Sequence, residues 1–421
     1  MIRRIARESL PLLAGDALAR IALFGATAWM ARHLGPEAFG LITFAQAVLG
    51  YVLLGGDFGL SIHGVREMAV HESERHRTWR TVAALRASLT ALLVSVALLV
   101  TWLVPASETT RLVMTCTLLV ALPLALVPDW AFRAIGRMDL AGLLGALQPA
   151  LLLIGALALI QTPDDLLWAP LLRLAAGAIA AAIGIALLAR VRHGEPKGSR
   201  AETMLSWRET IASPAARAAL ASGGVLLMAN LAVLAYNSGD SLLLKAFLGD
   251  RAVGLYGSAY RVIQVPLAAF NAVTFAAFPV LARMAKGEAA QARSLAGRLV
   301  GFALMGGVVA ALALTWWAEP IVLALFGAEY RESAQVLRVL AFVVPLDFVV
   351  STLGTAHVAA GRERPLAWCA GLAAVLNLGA NVLLIPRLGL LGAAWATIGT
   401  YVLLWMLYAF AIRDGSARRA A

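Results

Sequence analysis

The chain has 421 residues, of which 61% are hydrophobic and 14% charged, against roughly 25% charged in an average soluble domain. That balance leaves too few polar side chains to coat a water-soluble particle. A mean hydropathy of +0.81 and recurring apolar runs of about 20 residues, one bilayer crossing each, indicate a polytopic membrane protein. The runs are continuous blocks of Leu, Ala, Val and Gly; alternating short strands, the mark of a membrane barrel, are missing, so the class is all-α.

Apolar blocks between charged or Pro/Gly breaks predict twelve membrane helices, over residues 10–32, 39–62, 81–104, 110–132, 140–161, 166–189, 218–247, 253–283, 296–318, 334–358, 366–386 and 390–412. The first block follows Arg3, Arg4 and Arg7 as a signal peptide would, but Asp16 and Arg20 interrupt its apolar core and eleven spans follow, so it reads as a span. The polar stretch 191–217 reads as a linker between an N-terminal six-helix lobe (1–190) and a C-terminal six-helix lobe (218–421). Two internal echoes support that division. Leu34-Gly35-Pro36-Glu37-Ala38-Phe39-Gly40-Leu41 matches Leu248-Gly249-Asp250-Arg251-Ala252-Val253-Gly254-Leu255 at five of eight positions, and Ala134-Ile135-Gly136-Arg137 resembles Ala359-Ala360-Gly361-Arg362. Chance is the alternative, because Gly, Leu and Ala are abundant, but both echoes fall at equivalent places in the two halves. Six helices per half give parallel repeats, an arrangement suited to alternating access.

The net charge of +11 would suggest nucleic acid in a soluble chain. Here its placement gives another reason. With both termini cytoplasmic, 24 of the 35 Lys and Arg residues fall in inner segments and seven in outer ones, so the positive-inside rule sets the orientation and no nucleic-acid partner is expected. The two cysteines, Cys116 and Cys369, lie far apart inside apolar runs and read as small core residues. The six histidines show no metal-ligand spacing, and no GxxxxGK[ST] loop marks an ATP motor.

The remaining four cations, Arg20, Arg86, Arg173 and Arg261, lie within predicted helices, as do Asp16, Asp57, Asp129, Asp240 and Asp347. A charge at the bilayer centre costs roughly 2.5–3.5 kcal/mol on insertion scales and usually faces a partner or water. Asp16 and Arg20 share a helix face and either neutralise each other or serve a cavity; Arg86 and Arg173 are near enough to helix ends to snorkel. Arg261 lies deeper, in Tyr256-Gly257-Ser258-Ala259-Tyr260-Arg261. Arginines converging on a cavity would hold a phosphorylated anion, since guanidinium stays charged and matches phosphate oxygens bidentately. Asp240, Asn377, Asn381 and Thr397 form a second set of hard oxygen and amide groups. They suit either a small cation or hydrogen bonding between helices.

Taken in order, Leu34-Gly35-Pro36-Glu37-Ala38-Phe39-Gly40, Asp57-Phe58-Gly59-Leu60, Gly239-Asp240, Phe247-Leu248-Gly249, Val253-Gly254-Leu255-Tyr256, Leu325-Phe326-Gly327-Ala328-Glu329-Tyr330, Asn377, Asn381, Ile385-Pro386, Gly389 and Gly392-Ala393-Ala394 resemble the polysaccharide or O-antigen flippase branch of the multidrug/oligosaccharidyl-lipid/polysaccharide exporter superfamily. The resemblance covers nearly the whole chain. It implies two MATE-like six-helix lobes in a V, no enzymatic activity, and movement of an undecaprenyl-diphosphate-linked oligosaccharide from the cytoplasmic to the periplasmic leaflet of a bacterial inner membrane. Membrane lipid and a glycan polymerase or ligase would be its partners. It places diphosphate contacts at Arg20 and Arg261; the residues themselves keep Arg86 and Arg173 as further candidates and Asp16, Asp57, Asp129 and Asp347 as cavity or charge-pair residues. No cofactor is implied beyond a coupling ion, sodium or a proton, at Asp240, Asn377, Asn381 and Thr397. Asn381 departs from the related lipid II flippases, which carry an acid there, and two further helices of those flippases have no counterpart. The rival readings are a cation-coupled drug or metabolite exporter, which would favour cavity acids over arginines, a membrane polymerase or ligase, which would need a large outer loop, and a non-transporting scaffold.

Overall fold

The computed structural model describes residues 2–193 and 213–417, so most of the expected linker, 194–212, and Arg418 and Arg419 lie outside the described residues. All regular structure among the described residues is helical. In chain order the helices are α1 (Ile2–Asp57), α2 (Leu60–Val70), α3 (Arg75–Leu103), α4 (Glu108–Leu119), α5 (Ala121–Leu126), α6 (Asp129–Ala134), α7 (Met138–Leu159), α8 (Trp168–His193), α9 (Pro214–Leu248), α10 (Asp250–Gly287), α11 (Ala289–Trp316), α12 (Ala318–Phe326), α13 (Ser333–Leu340), α14 (Val343–Ala359), α15 (Glu363–Leu388) and α16 (Leu390–Ala417).

Among the described residues, ten helical stretches are long and apolar enough to cross a membrane by length and composition. The first runs for 60 residues, about 90 Å at 1.5 Å per residue, enough for the first two expected spans; α9 covers the seventh. The break expected between spans one and two is a kink: Gly35 alone leaves the helical region (φ 77°, ψ 169°), and Pro36 restarts the helix at a position where its missing N–H costs nothing. Spans four and ten are also interrupted. The fourth is divided among α4, α5 and α6, where Pro123 and Pro128 fall, and the tenth between α13 and α14.

The two sequence echoes are echoes of conformation. Gly249, between α9 and α10, matches Gly35 with φ 84° and ψ −174°. The second echo forms the same left-handed cap in both halves. Gly136 and Gly361 have φ of 78° and 71°, Arg137 N–H donates to the Phe132 carbonyl and Arg362 N–H to the His357 carbonyl, at 2.9 and 3.0 Å, and the glycine N–H groups donate to Arg133 and Val358. These are the paired bonds of a Schellman motif, which requires positive φ at the glycine.

The chain divides into two compact units, Met1–Asn230 and Leu231–Ala421. The boundary falls inside α9, later than the linker expected at 191–217. The reason is packing: Ala216 and Ala219 of α9 are buried with Leu60, Trp130, Phe132 and Leu188 in the first unit. In that unit α1 and α7 approach closely where Gly15 meets Gly142; a Cβ on Gly142 would stand 2.6 Å from the Pro11 carbonyl oxygen. With lipid outside, such small-residue contact supplies the van der Waals packing that hydrophobicity alone cannot. Trp102, Trp316 and Trp317 are exposed near the ends of α3 and α11, where amphipathic rings suit the headgroup region.

A Cβ at Gly361 meets nothing within 4 Å, so Gly361→Val isolates the backbone cost of a left-handed residue, about 1–2 kcal/mol. Gly142→Val should cost more, because it forces α1 from α7. Thermal unfolding of the purified protein checks both; an unchanged midpoint for Gly361→Val contradicts the cap.

Candidate functional site

In the first unit, most of the intramembrane charges expected from sequence are in local pairs. Arg20 Nε lies 2.9 Å from Asp16 Oδ2 on α1, both well exposed. Arg86 Nε on α3 lies 3.0 Å from Asp57 Oδ1 at the end of α1, with the two side chains only 12% and 28% exposed, and Ser61 also donates to that carboxylate. The pair sits beside a sharp turn, since Phe58 (φ 47°) and Gly59 (φ 73°) are both left-handed. Asp129 opens α6 and accepts from Arg133 at 2.9 Å, a helix-surface pair. Arg173 is half-buried on α8.

The second unit builds a buried polar network from four helices. Asp240, 1% exposed on α9, accepts from Tyr256 OH at 2.6 Å and Thr397 Oγ1 at 2.9 Å through Oδ2, and from Asn381 Nδ2 at 2.7 Å through Oδ1. Tyr256 is on α10, Asn381 on α15 and Thr397 on α16. Asn381 Nδ2 also lies 3.1 Å from both the Asn377 carbonyl oxygen and Oδ1, and Asn377 Nδ2 donates to Thr400 Oγ1 at 2.8 Å. Asp240, Asn377, Asn381 and Thr397 are thus brought together as expected. Helix register explains part of this: Asn377 and Asn381 are one turn apart on α15, and Thr397 and Thr400 nearly so on α16.

Tyr256 belongs to this set and sequence reasoning missed it. A tyrosine in an apolar run reads as core or membrane-interface residue; the available signal was its spacing of four from Tyr260 on a helix that faces Asp240.

Asn381 Oδ1 is buried without a hydrogen-bond partner. Turning that amide end for end, a change of little shape, would set Oδ1 among the oxygens of Asp240 and Asn377. Those oxygens repel one another unless a cation or proton lies among them. Carboxylate, amide and hydroxyl oxygens are the donor types that suit a small hard cation.

A second cluster flanks the first. Tyr256 and Tyr260 stack with centroids 6.1 Å apart, and Tyr260 OH donates to Asn237 Oδ1 at 3.2 Å. Tyr236 meets the edge of Tyr401 at 6.2 Å. Asp347 on α14 accepts from Ser351 at 3.4 Å and from Tyr401. Arg261 follows Tyr260 on α10 and is half-buried.

This fold, with its long apolar helices and buried polar networks, defines an all-helical multi-pass membrane protein. A family model described as "Polysaccharide biosynthesis protein" matches residues 5–285, and one described as "Lipid II flippase MurJ" matches residues 168–419. The chain belongs to the polysaccharide biosynthesis protein family. Its relatives include a probable low-salt glycan biosynthesis flippase of Haloferax volcanii, 24% identical over 96% of this chain and 83% of that one, and a putative O-antigen transporter of Escherichia coli, 24% identical over 77% and 75%. Among solved structures, an inward closed lipid II flippase MurJ aligns with a TM-score of 0.71 at 12% identity, covering 96% of this chain and 87% of that one. An inward-facing MATE family transporter aligns at 0.69 and 16% identity, covering 96% and 98%.

Tyr256→Phe removes one donor from a buried carboxylate and should destabilise the protein by about 1–3 kcal/mol. Thermal unfolding checks this, and a midpoint equal to the parent's contradicts the network.

Proposed function

We propose that the protein is a flippase that moves an undecaprenyl-diphosphate-linked oligosaccharide from the cytoplasmic to the periplasmic leaflet of a bacterial inner membrane, with both termini cytoplasmic, and is not an enzyme. The observation that carries the reading is Arg261, a half-buried guanidinium in the interior of a membrane-spanning helix, next to tyrosines and a buried polar network. An arginine at that depth needs an anion or water, and a diphosphate offers oxygens in the geometry that guanidinium prefers. That placement beside the tyrosines and the network makes Arg261 the first of the diphosphate candidates; Arg20, Arg86 and Arg173 are retained as further ones.

The carrier is proposed to work by alternating access, with the delivered glycan used by a polymerase or ligase. Substrate and ion drive such a cycle only through different affinities for its two states. Asp240, Asn377, Asn381 and Thr397 would hold the coupling ion, sodium or a proton, which supplies the positive charge that balances Asp240. The same fold also serves drug export, but a half-buried arginine beside the candidate site favours an anionic headgroup over an organic cation.

Arg261→Ala should abolish surface glycan in a complementation assay while the protein still reaches the membrane; normal glycan display contradicts the role of Arg261. Asp240→Asn should weaken transport that depends on a sodium or proton gradient, and ion-independent transport by the parent protein contradicts the coupling.

A further inference from the structure

The cluster around Asp347 has no part in the ion site or in the diphosphate contact. Its side chains come from four helices of the second unit: Tyr236 and Asn237 from α9, Tyr260 from α10, Asp347 and Ser351 from α14, and Tyr401 from α16. Tyr236, Asn237, Tyr260, Asp347 and Ser351 are each half-buried, whereas Tyr401 is 4% exposed and forms the inner wall. Positions on this unit that face lipid carry apolar side chains such as Phe302, Met305, Val309 and Leu312, all strongly exposed. A part-buried carboxylate and amide on membrane-spanning helices would be costly against hydrocarbon, which favours a polar surrounding for this face over lipid.

Within that face the chemistry is specific. The donors that the described residues bring to Asp347 are hydroxyls, from Ser351 at 3.4 Å and from Tyr401, so the carboxylate retains capacity to accept further hydrogen bonds. Asn237 accepts from Tyr260 through Oδ1, which leaves its amide N–H groups to donate. Tyr236 and Tyr401 meet edge to face, and a tyrosine has an apolar body with a polar tip. Rigid aromatic walls with a few fixed polar groups are the makeup of a small-molecule site. A ligand that matches them has many hydroxyls in fixed directions and an apolar C–H face, and it lies close to an anion, because Arg261 follows Tyr260 on α10.

We propose that Tyr236, Asn237, Tyr260, Asp347, Ser351 and Tyr401 form a carbohydrate subsite that reads the sugar joined to the diphosphate. Asp347 accepts from sugar hydroxyls, Asn237 donates to them, and the tyrosine rings carry the C–H face. This rests on the flippase reading above and adds where its sugar selectivity resides. A carboxylate among aromatic rings also suits a quaternary ammonium ion, and the test includes that outcome.

The experiment measures binding to purified protein in nanodiscs by native mass spectrometry. The probes are undecaprenyl diphosphate bearing one N-acetylhexosamine, bare undecaprenyl diphosphate, and tetraphenylphosphonium as the organic cation. Asp347→Asn, which is near-isosteric, and Tyr236→Leu, which removes the ring, should each weaken the sugar-bearing lipid about tenfold, the effect of roughly 1.4 kcal/mol, while bare lipid changes less than twofold. If Asp347→Asn does not fold, Tyr236→Leu decides alone. Equal losses for both lipids, or no loss for either, would overturn the subsite while leaving the flippase reading standing. So would binding of tetraphenylphosphonium that disappears in Asp347→Asn. Failure of the parent protein to bind either lipid would overturn the flippase reading and the subsite with it.

Discussion

A charged or hydrogen-bonding group inside a membrane has to find its partners within the protein or in trapped water, and the Asp240 carboxylate meets that requirement most completely. Three donors from three different helices converge on it, so α9, α10, α15 and α16 are tied together at one buried point. Because Asp240 is 1% exposed, each bond is stronger than it would be at a surface, and each missing one costs more. The helices that carry the tyrosine cluster and Arg261 are therefore held in register by a polar contact and not by apolar packing alone.

The two units handle their intramembrane charges differently. In the first, Asp16 and Arg20 neutralise each other along one helix and Asp57 and Arg86 do so between α1 and α3. In the second, Asp240 and Asp347 are met by hydroxyls and amides. Neutral donors satisfy a carboxylate without cancelling its charge, which leaves it able to respond to a cation, a proton or a polar ligand. A salt-bridged carboxylate has already been answered. This asymmetry is why the proposed ion and sugar sites both fall in the second unit.

Much of this was legible in the sequence. The helical class followed from composition, and the two echoes located Gly35 with Gly249 and Gly136 with Gly361, whose matching positive φ values reflect a constraint only glycine meets cheaply. Asp240, Asn377, Asn381 and Thr397 could be grouped because all four are polar side chains inside apolar runs of the second half and two of them share a helix face; a resemblance then suggested an ion as their purpose. Tyr256 was not grouped with them, since its one signal, a spacing of four from Tyr260, does not tell a tyrosine whose hydroxyl meets a carboxylate from one that meets solvent. The Asp57–Arg86 pair was also hidden, because 29 positions separate the two residues and only the packing of α1 on α3 joins them. The unit boundary inside α9 was invisible for a related reason: Ala216 and Ala219 look like any small apolar residues until Trp130 and Phe132 are seen against them.

The central claim, that this chain carries a lipid-linked glycan across the bilayer, is tested most directly in proteoliposomes. Undecaprenyl-diphosphate-linked oligosaccharide would be incorporated into the inner leaflet and its arrival outside followed by lectin capture. The account predicts protein-dependent arrival that is competed by excess lipid-linked glycan and unaffected by tetraphenylphosphonium. Arrival no faster than in protein-free liposomes, or export of tetraphenylphosphonium in its place, would contradict it.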